Sequence, residues 1–308
     1  MEAQPVENTS WAATTPPQSP GVGPVHLKDC IEELLKFTLT SSINGELDLG
    51  LSKDYCSQLL RDDDDNNHPL PPSSEVDLAK GVPMYPLYKH LAASLHQSIS
   101  SGAFLPMSNQ LNSTQEDSSM KLKEDEWIKL ITEKGSLLLN MLAIVDFEFH
   151  VQEPFFTQLK DGCKIVEGRC AVGKYNRMLP GALILFNKSL LLQVQQCNQY
   201  ASFHDMLEAE GLQRVLPGVK TVQEGVQVYR NFYSEEKERS NGVLAICVTK
   251  PTSQLCDCIA GILLGLSYGG VRRMLNMVHT EGTFQEGLPP PASTLVSSFS
   301  TRHNPCVL

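Results

Sequence analysis

Val145-Asp146-Phe147-Glu148-Phe149-His150-Val151 alternates apolar and polar residues, which places Val145, Phe147, Phe149 and Val151 on one face of an extended chain. Upstream the period is helical: Trp127, Ile128, Ile131 and Leu138 share one side of a segment running from about Asp125 to Met141. The switch at Ile144 marks the start of a sheet-forming unit. Beyond it, Glu153-Pro154 opens a short helix that Asp161-Gly162 closes, and Cys163–Arg169 reads as a second strand. Pro180-Gly181 turns into a strand at Ala182–Phe186, with Ser189–Gln196 as its hairpin partner. Ser202 caps a helix ended by Gly211, and Thr221-Val222-Gln223-Glu224 is a capping box for a helix reaching about Tyr233. Val243–Val248 is the last strand. Short strands interleaved with helices predict an α+β fold around a small curled sheet or barrel over residues 144–250, a span near the commonest domain size.

The flanks read differently. Residues 1–25 are rich in Pro, Thr, Ser and Gln and are expected to be disordered. Residues 26–143 carry accessory helices. One covers Leu27–Phe37, with Leu27, Ile31, Leu34 and Leu35 on one face; a second follows Ser52; a third begins at Pro86 and stops at Gly102. Between them, Asp62 to Asn67 and the prolines after it read as a solvated linker, and residues 103–123 as polar and irregular. A C-terminal helix is expected within 251–279. Its uncharged core contains Gly261-x-x-x-Gly265, but about 14 uncharged residues fall short of the ~20 that span a bilayer, so it is expected to pack on the domain. Residues 280–308 read as a disordered tail.

The formal net charge of −10 argues against a protein that coats itself with nucleic acid. That excess is local, however. Residues 1–144 hold 10 Lys/Arg against 20 Asp/Glu, whereas residues 145–250 hold 12 of each. Within the balanced unit, Lys160, Lys164, Arg169, Lys174, Arg177 and Lys188 are diluted only by Asp161 and Glu167. The nine cysteines form no Cys-x-x-Cys pair and no His stands at metal-ligand spacing, so neither metal nor cofactor is expected. The odd count, with no signal-like first residues, predicts reduced thiols in an intracellular protein, nuclear or cytoplasmic.

Gln152-Glu153-Pro154-Phe155-Phe156, then Leu159, Gly162, Lys164, Glu167, Gly168 and Arg169, resembles the ASCH family (activating signal cointegrator homology), whose hallmark is Gly-x-Lys-x-x-Glu-x-Arg after a short helix. Lys174-Tyr175, Pro180-Gly181, Asn231-Phe232-Tyr233 and Gly242 to Ile246 extend the likeness over about a third of the chain. The resemblance implies a PUA-like barrel that binds RNA or a nucleotide in a cleft, with a role in RNA metabolism or transcription coactivation. Lys164, Glu167 and Arg169 are its candidate ligand residues, with Lys174, Tyr175 and Lys188 in support. Read from the residues alone, Gly162 suits the left-handed exit of a helix, and alternation sets Glu167 and Arg169 on one strand face. Lys164 falls on the other face if the strand is regular, and joins them if a turn redirects it. Arg supplies a planar donor fork for phosphate or a base, Lys a point charge, and Tyr175 a ring for stacking or for barrel packing. A structural Glu167–Arg169 ion pair with Lys164 solvated is the competing reading.

Two other functions are open. Some bacterial proteins of this family hydrolyse acetylated cytidine with a Lys base and a Thr nucleophile. Lys164 matches that Lys, but Glu167 stands where the Thr would be, which leaves only a water-activating role for the carboxylate. Alternatively, the N-terminal helices serve as a protein-interaction scaffold, which an exposed apolar helix face would favour. No membrane partner is expected.

Overall fold

The computed structural model describes residues 25–62, 86–105 and 118–276. The expected disorder at residues 1–24 and 280–308, and the acidic and proline-rich linker at 63–85, lie outside the described residues.

Among the described residues four helices precede the sheet: α1 (Leu27–Ile43), α2 (Lys53–Leu60), α3 (Leu87–Ser101) and α4 (Ser118–Ala143). Local chemistry sets several of their ends. The Ser52 side chain accepts the Tyr55 N–H to start α2, and Gly102, at φ 67°, stops α3 in the left-handed conformation. Two extents differ from the sequence reading. Helix α1 continues past Phe37 because Leu39, Ser41 and Ser42 are still buried, and α4 begins at Ser118 inside a stretch read as irregular. Tertiary burial, which composition does not report, carries the first extension; the added start of α4 stays exposed at Met120 and Leu122, with Glu124 paired to Arg273 at 2.6 Å.

The sheet has five strands in the order β1-β3-β4-β5-β2: β1 (Phe147–Phe149), β2 (Val166–Cys170), β3 (Leu183–Phe186), β4 (Leu190–Tyr200) and β5 (Val243–Thr249). Strand β1 runs parallel to β3 and every other pair is antiparallel. The strand expected over Cys163–Arg169 forms only from Val166. The hairpin partner runs on to Tyr200 because an irregularity between Val194 and Gln196 lets β4 change partner, from β3 at its start to β5 beyond. Such a bulge bends a strand and tightens its twist, and the sheet here curls into a half-barrel. It leaves β1 and β2 as the two edges.

Five helices punctuate the sheet region: α5 (Phe155–Lys160), α6 (Phe203–Glu210), α7 (Leu212–Val215), α8 (Val222–Arg230) and α9 (Glu235–Asn241). The Ser202 cap and the reciprocal Thr221/Glu224 capping box are both present. Alternation explains why β3 is apolar throughout: Ile184 and Phe186 fill the barrel interior, while Leu185 faces the helical layer.

The last described helix, α10 (Leu255–Met274), packs chiefly against α4 and α1 rather than on the sheet. Gly261 lies against the Lys134 stem and Gly265 against Leu130, so the small-residue spacing serves a close helix crossing. By length and composition alone α10 could cross a membrane; here 56% of its apolar window is buried inside the protein. It joins the sheet through Gln254, whose side chain accepts from Leu191 N–H (3.1 Å) and donates to Leu191 C=O (2.9 Å). That pair extends β4 where β5 has ended. A second tie is Lys160 of α5, 2.8 Å from Glu46, and Phe37 of α1 packs edge-on against Phe156.

Candidate functional site

Gly162 adopts φ 76° at the exit of α5, as the sequence reading expects. The Lys164 N–H still bonds back to Gln158 C=O at 3.0 Å, so Lys164 belongs to the exit turn and not to a regular strand. Strand alternation therefore does not apply to it. Its side chain turns inward, 2% exposed, and the solvated Lys164 of the competing reading is corrected.

The Lys164 ammonium meets three acceptors: Val166 C=O at 2.7 Å, Val215 C=O at 2.5 Å and Glu167 Oε2 at 3.2 Å. The Phe155 ring lies 5.8 Å away. Three acceptors match the three N–H bonds of an ammonium and leave no place for an amine lone pair. Burial pulls the Lys164 pKa below its ordinary value, the Glu167 carboxylate opposes the fall, and the Arg169 charge adds to it. The geometry makes Lys164 a buried donor that fastens the start of β2 to α7.

Glu167 divides its oxygens between two cations. Oε1 accepts from Arg169 Nε at 2.8 Å while Oε2 faces Lys164. Arg169 then reaches across the open side of the half-barrel: Nη2 donates to His150 C=O at 2.8 Å, just past β1, and Cζ sits 4.6 Å from the Phe149 ring centroid. The two edge strands share no ladder, so Arg169 closes the seam between them with its side chain. Burial disfavours the guanidinium charge, but Glu167, Tyr233 and Tyr175 together outweigh it and the Arg169 pKa rises. Two cations and one anion leave the cluster formally one positive charge in excess.

A guanidinium has five N–H donors, and among the described residues only two of those of Arg169 have protein acceptors. The side chain retains 13% exposure, so this end of the triad meets solvent.

Tyr175 lies on a 3₁₀ turn (Gly173–Arg177), half-buried, its ring edge-on to Phe149 at 5.3 Å. It reaches the Arg169 end of the cluster. Lys174 shares that turn, and its side chain lies outside the described residues. Lys188 does not join the triad. It sits at the β3–β4 turn with φ 59°, and its charge bears on Cys30 of α1, beside Glu148.

Two aromatic residues that sequence reasoning did not assign to the site come from α8 and the loop after it. Tyr229 stacks on Phe203 at 4.1 Å, and Tyr233 stacks on the same ring at 5.4 Å. The Tyr229 hydroxyl is buried against Gly168 and has no well-formed hydrogen bond. Burial raises the pKa of Tyr175, Tyr229 and Tyr233, while the Arg169 charge pulls each back, so all three phenols lie within its influence and are protonated at neutral pH. The i, i+4 spacing of Tyr229 and Tyr233 was the available signal, but helical spacing alone does not tell a core face from a site.

A separate polar cluster ties α6 to the sheet. Glu210, 6% exposed, accepts from Asn198 Nδ2 at 2.6 Å and the Tyr200 hydroxyl at 2.8 Å. Among the described residues no group of three or more His, Cys, Asp and Glu side chains is placed to hold a metal ion. Burial pushes the thiols of Cys30 and Cys256 up to about 12, which makes them poor nucleophiles at neutral pH.

A curled five-stranded sheet, open between its first two strands and bridged there by Arg169, defines a PUA-like barrel. Residues 149–252 match the ASCH domain, and through this segment the chain belongs to the ASCH domain family. Two solved structures are similar in sequence over the same share of the chain. The hypothetical protein PH0355 is 43% identical, with 34% of this chain and 97% of that one covered, at a TM-score of 0.33. Protein PF0455 from Pyrococcus furiosus is 44% identical over 34% and 97%, at a TM-score of 0.32. No curated protein is significantly similar to the chain.

Proposed function

We propose that the chain binds RNA or a nucleotide at the β1–β2 seam, with Arg169 as the principal contact. One observation carries this reading: a guanidinium held by Glu167 and His150 C=O, with three N–H donors that have no protein acceptor among the described residues, at the solvent side of a positively charged cluster. Membership of a family that is generally RNA-binding supports it. The acidic N-terminal part repels polyanions elsewhere and restricts contact to the seam. A place in RNA metabolism or transcription coactivation is the corresponding cellular role.

The amidohydrolase alternative draws less support. Lys164 has no lone pair to offer as a base, and both Glu167 oxygens are engaged by cations. The scaffold alternative draws little from α1, α2 and α3, whose apolar faces are consumed inside the bundle.

The test is equilibrium binding of the full chain to mixed-sequence single-stranded RNA at about 50 and 200 mM salt, beside Arg169→Met. Binding that weakens with salt and falls sharply in the variant supports the reading. Equal binding by wild type and Arg169→Met places the contact elsewhere.

A further inference from the structure

The lining of the seam at its solvent end is one-sided in its chemistry. Arg169 contributes three N–H donors without a protein acceptor among the described residues. The phenols of Tyr175 and Tyr233 are half-buried and protonated. Both rings are fixed before any ligand arrives: Tyr175 by Phe149, on which Arg169 also rests, and Tyr233 by its stack on Phe203, which Tyr229 also stacks on. The Lys237 Nζ lies 5.4 Å from the centre of the Tyr233 ring and adds a second, exposed cation. Among the described residues the carboxylate that bears on Arg169 and both phenols is Glu167, whose two oxygens are occupied by Lys164 and Arg169; Glu235, Glu236 and Glu238 share the first turn of α9 with Lys237. Donors held in place around an excess positive charge suit a group that only accepts, and an anionic tetrahedral oxygen cluster suits them best.

We propose that the seam holds a phosphate group, gripped by Arg169 and joined by the hydroxyls of Tyr175 and Tyr233. This rests on the RNA- or nucleotide-binding reading and sharpens it: the phosphate, not the base, is what Arg169 recognises, with Lys164 and Glu167 holding it in place. The same chemistry serves a phosphodiester within a strand and the monoester of a free nucleotide. Tyr175 and Tyr233 then act through their hydroxyls, with their rings serving only to hold those hydroxyls in place.

The experiment compares full-chain wild type with Tyr175→Phe, Tyr233→Phe and Arg169→Lys, variants that keep the rings and the charge. The probes are a nucleoside, its 5′-monophosphate, inorganic phosphate and a short unpaired oligoribonucleotide. The monophosphate is expected to bind at least about 10-fold tighter than the nucleoside, and each Phe variant to weaken the phosphate-bearing probes about 10-fold, since a hydrogen bond to a charged group is worth about 1.5 kcal/mol or more. Preference for the oligoribonucleotide over the monophosphate assigns the site to strands, and the reverse to free nucleotides. Nucleoside and monophosphate binding equally, or Phe variants that bind like wild type, overturns the phosphate assignment while leaving binding itself intact. Failure of every probe on wild type overturns the underlying reading as well.

Discussion

Replacing Lys164 by Met tests whether the buried triad is a structural keystone. The substitution keeps the length and apolar character of the stem but removes all three donors. Val166 C=O, Val215 C=O and Glu167 Oε2 then lose a partner in an interior where Lys164 was 2% exposed. Breaking a buried ion pair from one side costs about 3–5 kcal/mol, and each stranded carbonyl about 1–3 kcal/mol before relaxation. These terms overlap, so a loss of about 4 kcal/mol is expected, a large part of the ~5–15 kcal/mol that holds a domain together. Urea unfolding followed by circular dichroism gives the total, and amide exchange along β2 and β5 shows whether the loss is local to the seam. In the double variant Lys164→Met/Glu167→Gln the neutral amide still faces Arg169, so the two changes should fall short of additivity by ~1 kcal/mol or more. A loss below about 1 kcal/mol, the worth of a solvated pair, would refute the keystone argument.

Three further outcomes follow from the packing. Gly168→Ala sets a methyl against the Tyr229 hydroxyl and 2.8 Å from Met206 Cε, so thermal denaturation should show a loss of about 1–3 kcal/mol. Adding Tyr229→Phe should recover part of it, because the hydroxyl that clashes has no well-formed bond to lose; no recovery would mean the clash lies elsewhere. Gln254→Leu removes both bonds to the Leu191 backbone and the start of α10, and should lower stability by about 2 kcal/mol in the same assay. Glu46 is held below its ordinary 4.5; burial works against this, and the hydrogen bond and charge of Lys160 prevail. Its contribution is therefore present above about pH 4.5 and lost as pH falls through the lowered value. With Glu46 41% exposed the effect stays under about 1 kcal/mol. Wild type and Glu46→Gln should differ slightly at about pH 6 and converge at about pH 3; a gap that widens in acid would contradict the sign.

Much of the fold was legible because local chemistry dictated it. Ser202, the Thr221/Glu224 box, Gly102 and Gly162 each do at an element end what their side chains, or lack of one, allow. The alternation from Val145 to Val151 located the first strand, although only Phe147–Phe149 pairs. What sequence could not supply was long-range. Nothing in Lys164 announces that its partners include Val215, 51 residues later. Nor could periodicity show that Arg169 would bond to His150 and close a seam between strands at opposite edges of the sheet. The α10 segment was read as a helix on the domain, yet its glycines meet α4, because a small-residue stripe names a close crossing and not its partner. Lys188 was grouped with the site by charge; the β3–β4 turn carries it toward α1 instead.

The most direct test of the seam as the binding surface is photo-crosslinking of the full chain to unpaired RNA, with the adducts located by peptide mass spectrometry. The account predicts adducts on the peptides that carry Arg169, Tyr175 and Tyr233, and their loss in Arg169→Met. Adducts confined to α1–α4, or unchanged by that substitution, would contradict it.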